Sequence, residues 1–297
     1  MMRASRVIRE QLRQAFQNSH RSRFDTQPEL RVRVLRGADI ATLCCDGIAT
    51  STNAGLVGNA NPSFWRFVGR ENADGAVHRA AGPELQAACD EQRTLDGGAP
   101  ARLGGAIVTP AFGRLRARAV IHAFAPDGAY ALGLQSWQGR RQWSGDRGAR
   151  GVYLAEARPA GEADALLRSA YASVLDAAAA RRLRTVAMPA LGCGVHKFRA
   201  DRAAKLALRA IAAHAERDEG GVERVDFALY TDEVYDAWSE CARAAFGAPA
   251  SASPEEEVFD LRARKEPCRA ERTIHESSNG QEPLVPAPPV RHGYTFT

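Results

Sequence analysis

No apolar run in the sequence approaches the roughly 18 residues that a membrane-spanning helix requires, so the chain does not read as an integral membrane protein. There is no CxxC pair, and none of the six cysteines falls with histidines at zinc-site spacing. Thiols scattered in this way read as small buried hydrophobes in a reducing, intracellular compartment, with no metal and no cofactor expected. Charge of one sign is scarce too. Forty basic residues against 35 acidic ones leave a net charge of +5, and part of that excess sits at the N-terminus, so no nucleic-acid footprint is expected. The phosphate-binding fingerprints GxxxxGK[ST] and GxGxxG are both missing.

What is present is a chain of 297 residues, 45% hydrophobic and 25% charged, which is ordinary for a soluble globular protein with a sizeable core. Residues 1 to 23 hold six arginines and one acid, Glu10, with Val7, Ile8, Leu12 and Phe16 able to share a helix face. The extension over residues 1–28 fits either an organelle transit peptide or a disordered basic tail. Cytoplasm is therefore the first expectation for location, with an organelle as the alternative. From residue 248 to 297, acids, prolines and small polar residues alternate (SASPEEEVF, PLVPAPPV). Such a composition buries too little apolar area to offset chain entropy, so it reads as a disordered tail.

Between these ends, strand-like and helix-like patterns alternate. LRVRVL (30–35) has period two. GIATSTN (47–53), GAIVTPAF (105–112), AVIHAFAP (119–126), TVAMPALG (185–192) and VDFALYTD (225–232) are short apolar or β-branched runs of the kind buried on both faces of a sheet. Leu166, Leu167, Ala170, Tyr171, Val174, Leu175 and Ala178 form one stripe of a helix over 162–182. A second helix is expected to start at Asp201 as N-cap and to bury Leu206, Leu208 and Ile211, and a third to run from Asp232 to Phe246. This alternation predicts an α/β layer fold with a largely parallel central sheet, whose ligands settle at the carboxyl ends of the strands. The stretch over 128–161, with two tryptophans among glycines and arginines, is too long for an ordinary connection. It reads as a disordered, peripheral insertion or as a functional lid, whose aromatics among arginines could stack on a nucleobase.

Several strand ends carry candidate chemistry. Gly192-Cys193-Gly194 follows an apolar strand and either aims main-chain amides at a phosphate or simply makes a tight turn. Asp39, in the turn after the first strand, reads as a turn residue or as an acceptor for an exocyclic amine, and Asn53 as turn chemistry or as a partner for a ligand hydroxyl. In ADGAVHRAAGPEL (73–85), Asp74 is a natural N-cap, and His78 stands one turn along on the same face. A carboxylate and an imidazole so placed could orient and deprotonate a water, or could be a cap and its neighbour.

Taken in order, these segments resemble the macro domain family. ADGAVHRAAGPEL is similar to that family's VDGAIHRAAGPEL, GGAIVTPAF and RAVIHAFAP to its GEAVITPGY and YVIHTVGP, and MPALGCGVHKF to its PAISTGVYGFP. The resemblance spans roughly residues 30 to 246. It implies a three-layer α/β/α macro domain over 29–247, with a mixed, largely parallel sheet and insertions near 56–70 and 128–161. The implied ligand is ADP-ribose, free or on a modified protein, and the implied protein is a monomer with neither cofactor nor membrane partner. By the same resemblance, Asp39 with Ile40 would meet adenine and Asn53 the distal ribose. Gly192, Cys193, Gly194 and Val195 would wrap the diphosphate, His196 and Phe198 of the same loop would line the ligand site, and Tyr230 would lie beside adenine. Asn53, Asp74 and His78 would place and activate water against the anomeric carbon of the distal ribose.

The chain also departs from the family pattern. Thr50 stands where the family has an asparagine, and Gly69-Arg70-Glu71-Asn72 replaces a run of glycines. About a dozen extra residues separate Asn53 from Asp74, and His196-Lys197 replaces a tyrosine and a glycine. Side chains restrict φ and fill space, so the pocket at the reacting end is expected to be rebuilt. The resemblance implies a hydrolase that removes ADP-ribose from esters of protein carboxylates or acyl groups, the alternative being a reader that binds ADP-ribose without turnover.

Overall fold

The apolar and β-branched runs form six strands: β1 (Arg31–Arg36), β2 (Gly47–Ser51), β3 (Ala106–Pro110), β4 (Ala119–Ala123), β5 (Thr185–Pro189) and β6 (Arg224–Leu229). Five helices accompany them among the described residues: α1 (Ala73–Ala81), α2 (Pro83–Leu95), α3 (Ala160–Ala180), α4 (Ala200–Glu216) and α5 (Asp232–Phe246). The computed structural model describes residues 30–53, 55–58, 72–95, 102–126, 160–194, 196–217 and 221–261. The basic extension over 1–28, most of the segment near 56–70 and nearly all of 128–161 lie outside the described residues. Among those described, no helix is long and apolar enough to cross a membrane.

Strands β2, β5, β6 and β1 are consecutive neighbours, and all run parallel. β4 extends the parallel set beyond β2, and antiparallel β3 closes that edge. Alternate residues along these strands enter two separate cores. Ala49, Ile121, Val186, Met188, Phe227 and Leu229 pack with α3, α4 and α5. Ile48, Val120, Ala187 and Ala228 pack with Val77, Ala81 and Leu85 of α1 and α2. A sheet covered on both faces in this way is a three-layer α/β/α sandwich. Six of the seven residues of the expected stripe on α3, Leu167, Ala170, Tyr171, Val174, Leu175 and Ala178, are fully buried, while Leu166 is only half-buried at its edge.

Two boundaries differ from the sequence reading. Helix α4 begins at Ala200 with Arg199 as its N-cap, which makes no side-chain cap bond, so Asp201 sits in the first turn instead and pairs with Arg199. More consequential, the segment assigned to a disordered tail from residue 248 is structured as far as 261. It forms β7 (Ser251–Ala252) and β8 (Glu256–Asp260), and β8 pairs antiparallel with β1. The acids that made this segment look unfoldable have partners across the sheet. Arg33 bonds both Glu256, at 2.5 Å, and buried Asp226, at 3.3 Å. Arg243 of α5 pairs with buried Glu257, and Arg31 pairs with Asp260. Phe259, only 1% exposed, inserts into the core from the same strand. Residues 262–297 lie outside the described residues. Phe259→Ala is expected to lower unfolding stability by about 3–5 kcal/mol, read as a reduced midpoint in urea denaturation. An unchanged midpoint would mean that β8 is only an appendage.

Candidate functional site

Parallel strands that are neighbours share a direction, so their carboxyl ends open on one edge. The turn after β1 carries Asp39 and Ile40, the end of β2 leads to Asn53, the loop after β5 spans 190–199, and Tyr230 follows β6. Register supports the alignment, with Arg36 opposite Leu229 and Pro189 opposite Ala228. The fold thus gathers onto one edge residues separated by up to about 190 positions in the chain.

Asp39 caps the 3₁₀ turn Ile40–Thr42, accepting a bond from the Ala41 amide at 3.0 Å, while Ile40 is buried beneath it. Asn53 is spent on its own turn. Its Oδ1 accepts from the amides of Gly55 and Val57, each at 3.1 Å, and its Nδ2 donates to the Val57 carbonyl at 2.6 Å. The turn holds Leu56 at φ +51, and α2 clamps the segment that follows. Gln86 accepts from the Gly58 amide at 2.8 Å and donates to the Leu56 carbonyl at 3.1 Å, and Arg93 donates to the Gly55 carbonyl.

The loop after β5 is closed by its own main chain, with Cys193 N donating to Ala190 O, Lys197 N to Gly194 O and Phe198 N to Gly192 O. Gly192 has φ +84, and a Cβ there would lie 3.0 Å from the Phe198 ring, so glycine is required on both counts. Phe198 is thereby a core residue beneath the loop, and His196 is buried as well. Burial pushes the Cys193 thiol up to about 12, which leaves it protonated and a poor nucleophile. Val195 lies outside the described residues. Tyr230, by contrast, is 68% exposed.

Asp74 is not the N-cap of α1. Asn72 takes that role, its side chain accepting from the Gly75 amide at 2.8 Å. Asp74 points inward from the first turn, only 5% exposed, and accepts a 2.7 Å bond from the Thr50 hydroxyl near the end of β2. The helix N-terminus favours its negative charge. His78 stands one turn on, with Nε2 3.8 Å from the Asp74 carboxylate and the ring pressed against Gly58, where a Cβ would fall 2.2 Å from Nδ1.

Behind His78 the cluster continues through residues that the sequence reading did not single out. His122 of β4 lies opposite Thr50 in the sheet and 6.2 Å from His78, centroid to centroid. Its Nε2 meets the Thr109 hydroxyl at 2.9 Å and the Cys89 sulfur at 3.7 Å. Burial, followed by the neighbouring His78, pulls the His122 imidazole down to about 3, so it is neutral at physiological pH. Burial likewise raises Cys89 to about 12. Only a histidine inside an apolar strand (AVIHAF) and a cysteine on an amphipathic helix pointed to these residues, and both patterns usually mean core packing. Thr50→Val is expected to cost about 1.5–3 kcal/mol, the worth of a hydrogen bond to a charged group, measured by urea denaturation. A loss near zero would show that other groups hold Asp74.

A family model described as Macro domain matches residues 59–131 and 150–207. A macro domain-containing protein of Ralstonia nicotianae is 33% identical over 214 residues, covering 71% of this chain and 98% of that protein. The O-acetyl-ADP-ribose deacetylase of Salmonella gallinarum is 32% identical over 204 residues, covering 69% of this chain and 89% of its own. Among solved structures, a variant of the Oceanobacillus iheyensis macrodomain with ADPR superposes with a TM-score of 0.54 at 23% identity, over 74% of this chain and 94% of that one.

Proposed function

This chain belongs to the macro domain family, and on that premise we propose that it binds ADP-ribose and hydrolyses an ester at the distal ribose, joined to a protein carboxylate or to an acyl group. Support for the ligand comes from the relative named as an O-acetyl-ADP-ribose deacetylase and from the neighbour solved with ADPR. The reading gives adenine to Asp39, Ile40 and Tyr230, around the ends of β1 and β6. It gives the diphosphate to the main chain between Gly192 and His196, where a glycine-bearing turn runs into the N-terminus of α4. The distal ribose then falls between that loop and the end of β2.

The observation that carries the enzymatic reading is Asp74, a buried carboxylate fixed by Thr50 at the end of β2. A carboxylate held in one rotamer can accept a hydrogen bond from a single water and keep the water's lone pair aimed at the anomeric carbon of a protein ester, or at the acyl carbon where a ribose hydroxyl is acylated. Water adds, the ester C–O bond breaks, and free ADP-ribose and a carboxylic acid leave. His78, packed on Gly58, supports Asp74 from behind.

The second reading, a reader without turnover, rests on Asn53. Its amide makes three bonds inside its own turn, which withdraws it from the ribose. Calorimetry with free ADP-ribose tests the ligand, and no heat would remove both readings. Release of ADP-ribose from a protein modified on acidic residues, or from O-acetyl-ADP-ribose, then separates them, since binding without release is the reader's outcome. Asp74→Ala is expected to lower turnover by about a hundred- to ten-thousand-fold while affinity for free ADP-ribose stays within a few-fold. Unchanged turnover would reduce Asp74 to a structural role.

A further inference from the structure

His78, Cys89 and His122 come from three separate elements, α1, α2 and β4, yet one ring nitrogen of each histidine and the Cys89 sulfur all lie within 4.8 Å of one another. Two imidazoles and a thiol form a donor set of borderline softness, matched to a d¹⁰ or late first-row cation and poorly to magnesium or calcium. Bond lengths near 2.0–2.3 Å put tetrahedral ligands about 3.3–3.8 Å apart, and the Cys89 sulfur stands 3.7 Å from Nε2 of His122.

A second observation points the same way. Nε2 of His78 is buried and has no hydrogen-bond partner among the described residues, while its other face is pressed against Gly58. A buried polar atom left unpaired costs about 1–3 kcal/mol, so its persistence calls for something that accepts its lone pair or its proton. The donors also sit on two helices and a strand rather than on a loop, which limits how far they would have to move.

We propose that His78, Cys89 and His122 form a binding site for a thiophilic divalent cation, zinc by its chemistry, with the fourth position of a tetrahedral shell taken by solvent. On loading, the Cys89 S–H bond gives way to a metal–sulfur bond and the proton leaves to solvent. At His122 a coordinate bond replaces the hydrogen bond to Thr109. The sequence carries no sign of this site, because spacings of 11 and 33 residues fit no zinc motif and the donors meet only through sheet pairing and helix packing. The proposal does not depend on the reading of the pocket as a hydrolase.

The test uses the full chain, stripped with a chelator and titrated with Co²⁺. The expected result is one equivalent retained, with tetrahedral visible bands and a thiolate-to-cobalt charge-transfer band that Zn²⁺ abolishes. Cys89→Ser should remove the charge-transfer band, and Cys193→Ser should leave it intact. X-ray absorption of the zinc-loaded parent protein needs no variant and should show a shell with one sulfur and the rest nitrogen or oxygen. Failure to retain the metal, a band that survives Cys89→Ser, or a shell with no sulfur or more than one would each overturn the proposal.

Discussion

Parallel strands cannot be joined by tight turns; each must be returned through a crossover, and that geometric demand shapes this molecule. β2, β5, β6 and β1 run side by side in one direction, so four loops have to emerge along one edge and the connecting helices have to cover the faces. Burial on both sides follows, and with it the apolar runs that made the strands readable. The candidate site is a consequence of the same demand, because its residues sit where those four strands end.

Within that frame the two faces of the sheet differ in bulk. The face under α3, α4 and α5 receives Met188, Phe227, Tyr171 and Trp238, all fully buried. The face under α1 receives Ala187 and Ala228 from the same strands. Small residues there bring α1 close to the sheet, and Asp74 then comes within a hydrogen bond of Thr50. Thr50 is thus more than a departure from the family pattern. Its hydroxyl anchors the carboxylate on which the proposed chemistry turns. Asn53, in contrast, keeps its identity but uses its amide to shape the longer path toward Asp74. Retaining a residue type and retaining its role are separate matters.

The polar cluster behind Asp74 links the pocket to the interior. Thr50, Asp74, His78, Cys89, Thr109 and His122 form a buried chain of polar groups between β2, α1, α2, β3 and β4. Buried polar chains of this kind cost stability unless their members are satisfied. Here one nitrogen of His78 is unpaired among the described residues.

By itself the sequence determined the local structure: period-two and β-branched runs became β1 to β6, the leucine and alanine stripe became α3, and Asp232 to Phe246 became α5. These depend on neighbours two to four residues away, so they can be read along the chain. The segment ADGAVHRAAGPEL likewise carried the family and the location of Asp74 and His78. Only the tertiary structure decided that Asn72, not Asp74, caps α1, since Thr50 competes for the carboxylate from 24 residues away. Only the tertiary structure drew the acidic segment 256–260 into the sheet, because its neutralising arginines lie on β1 and α5. The meeting of His78, Cys89 and His122 belongs to the same class. Contacts made across strand pairing and layer packing leave no periodic trace, and these residues look like ordinary core until the sheet sets them face to face.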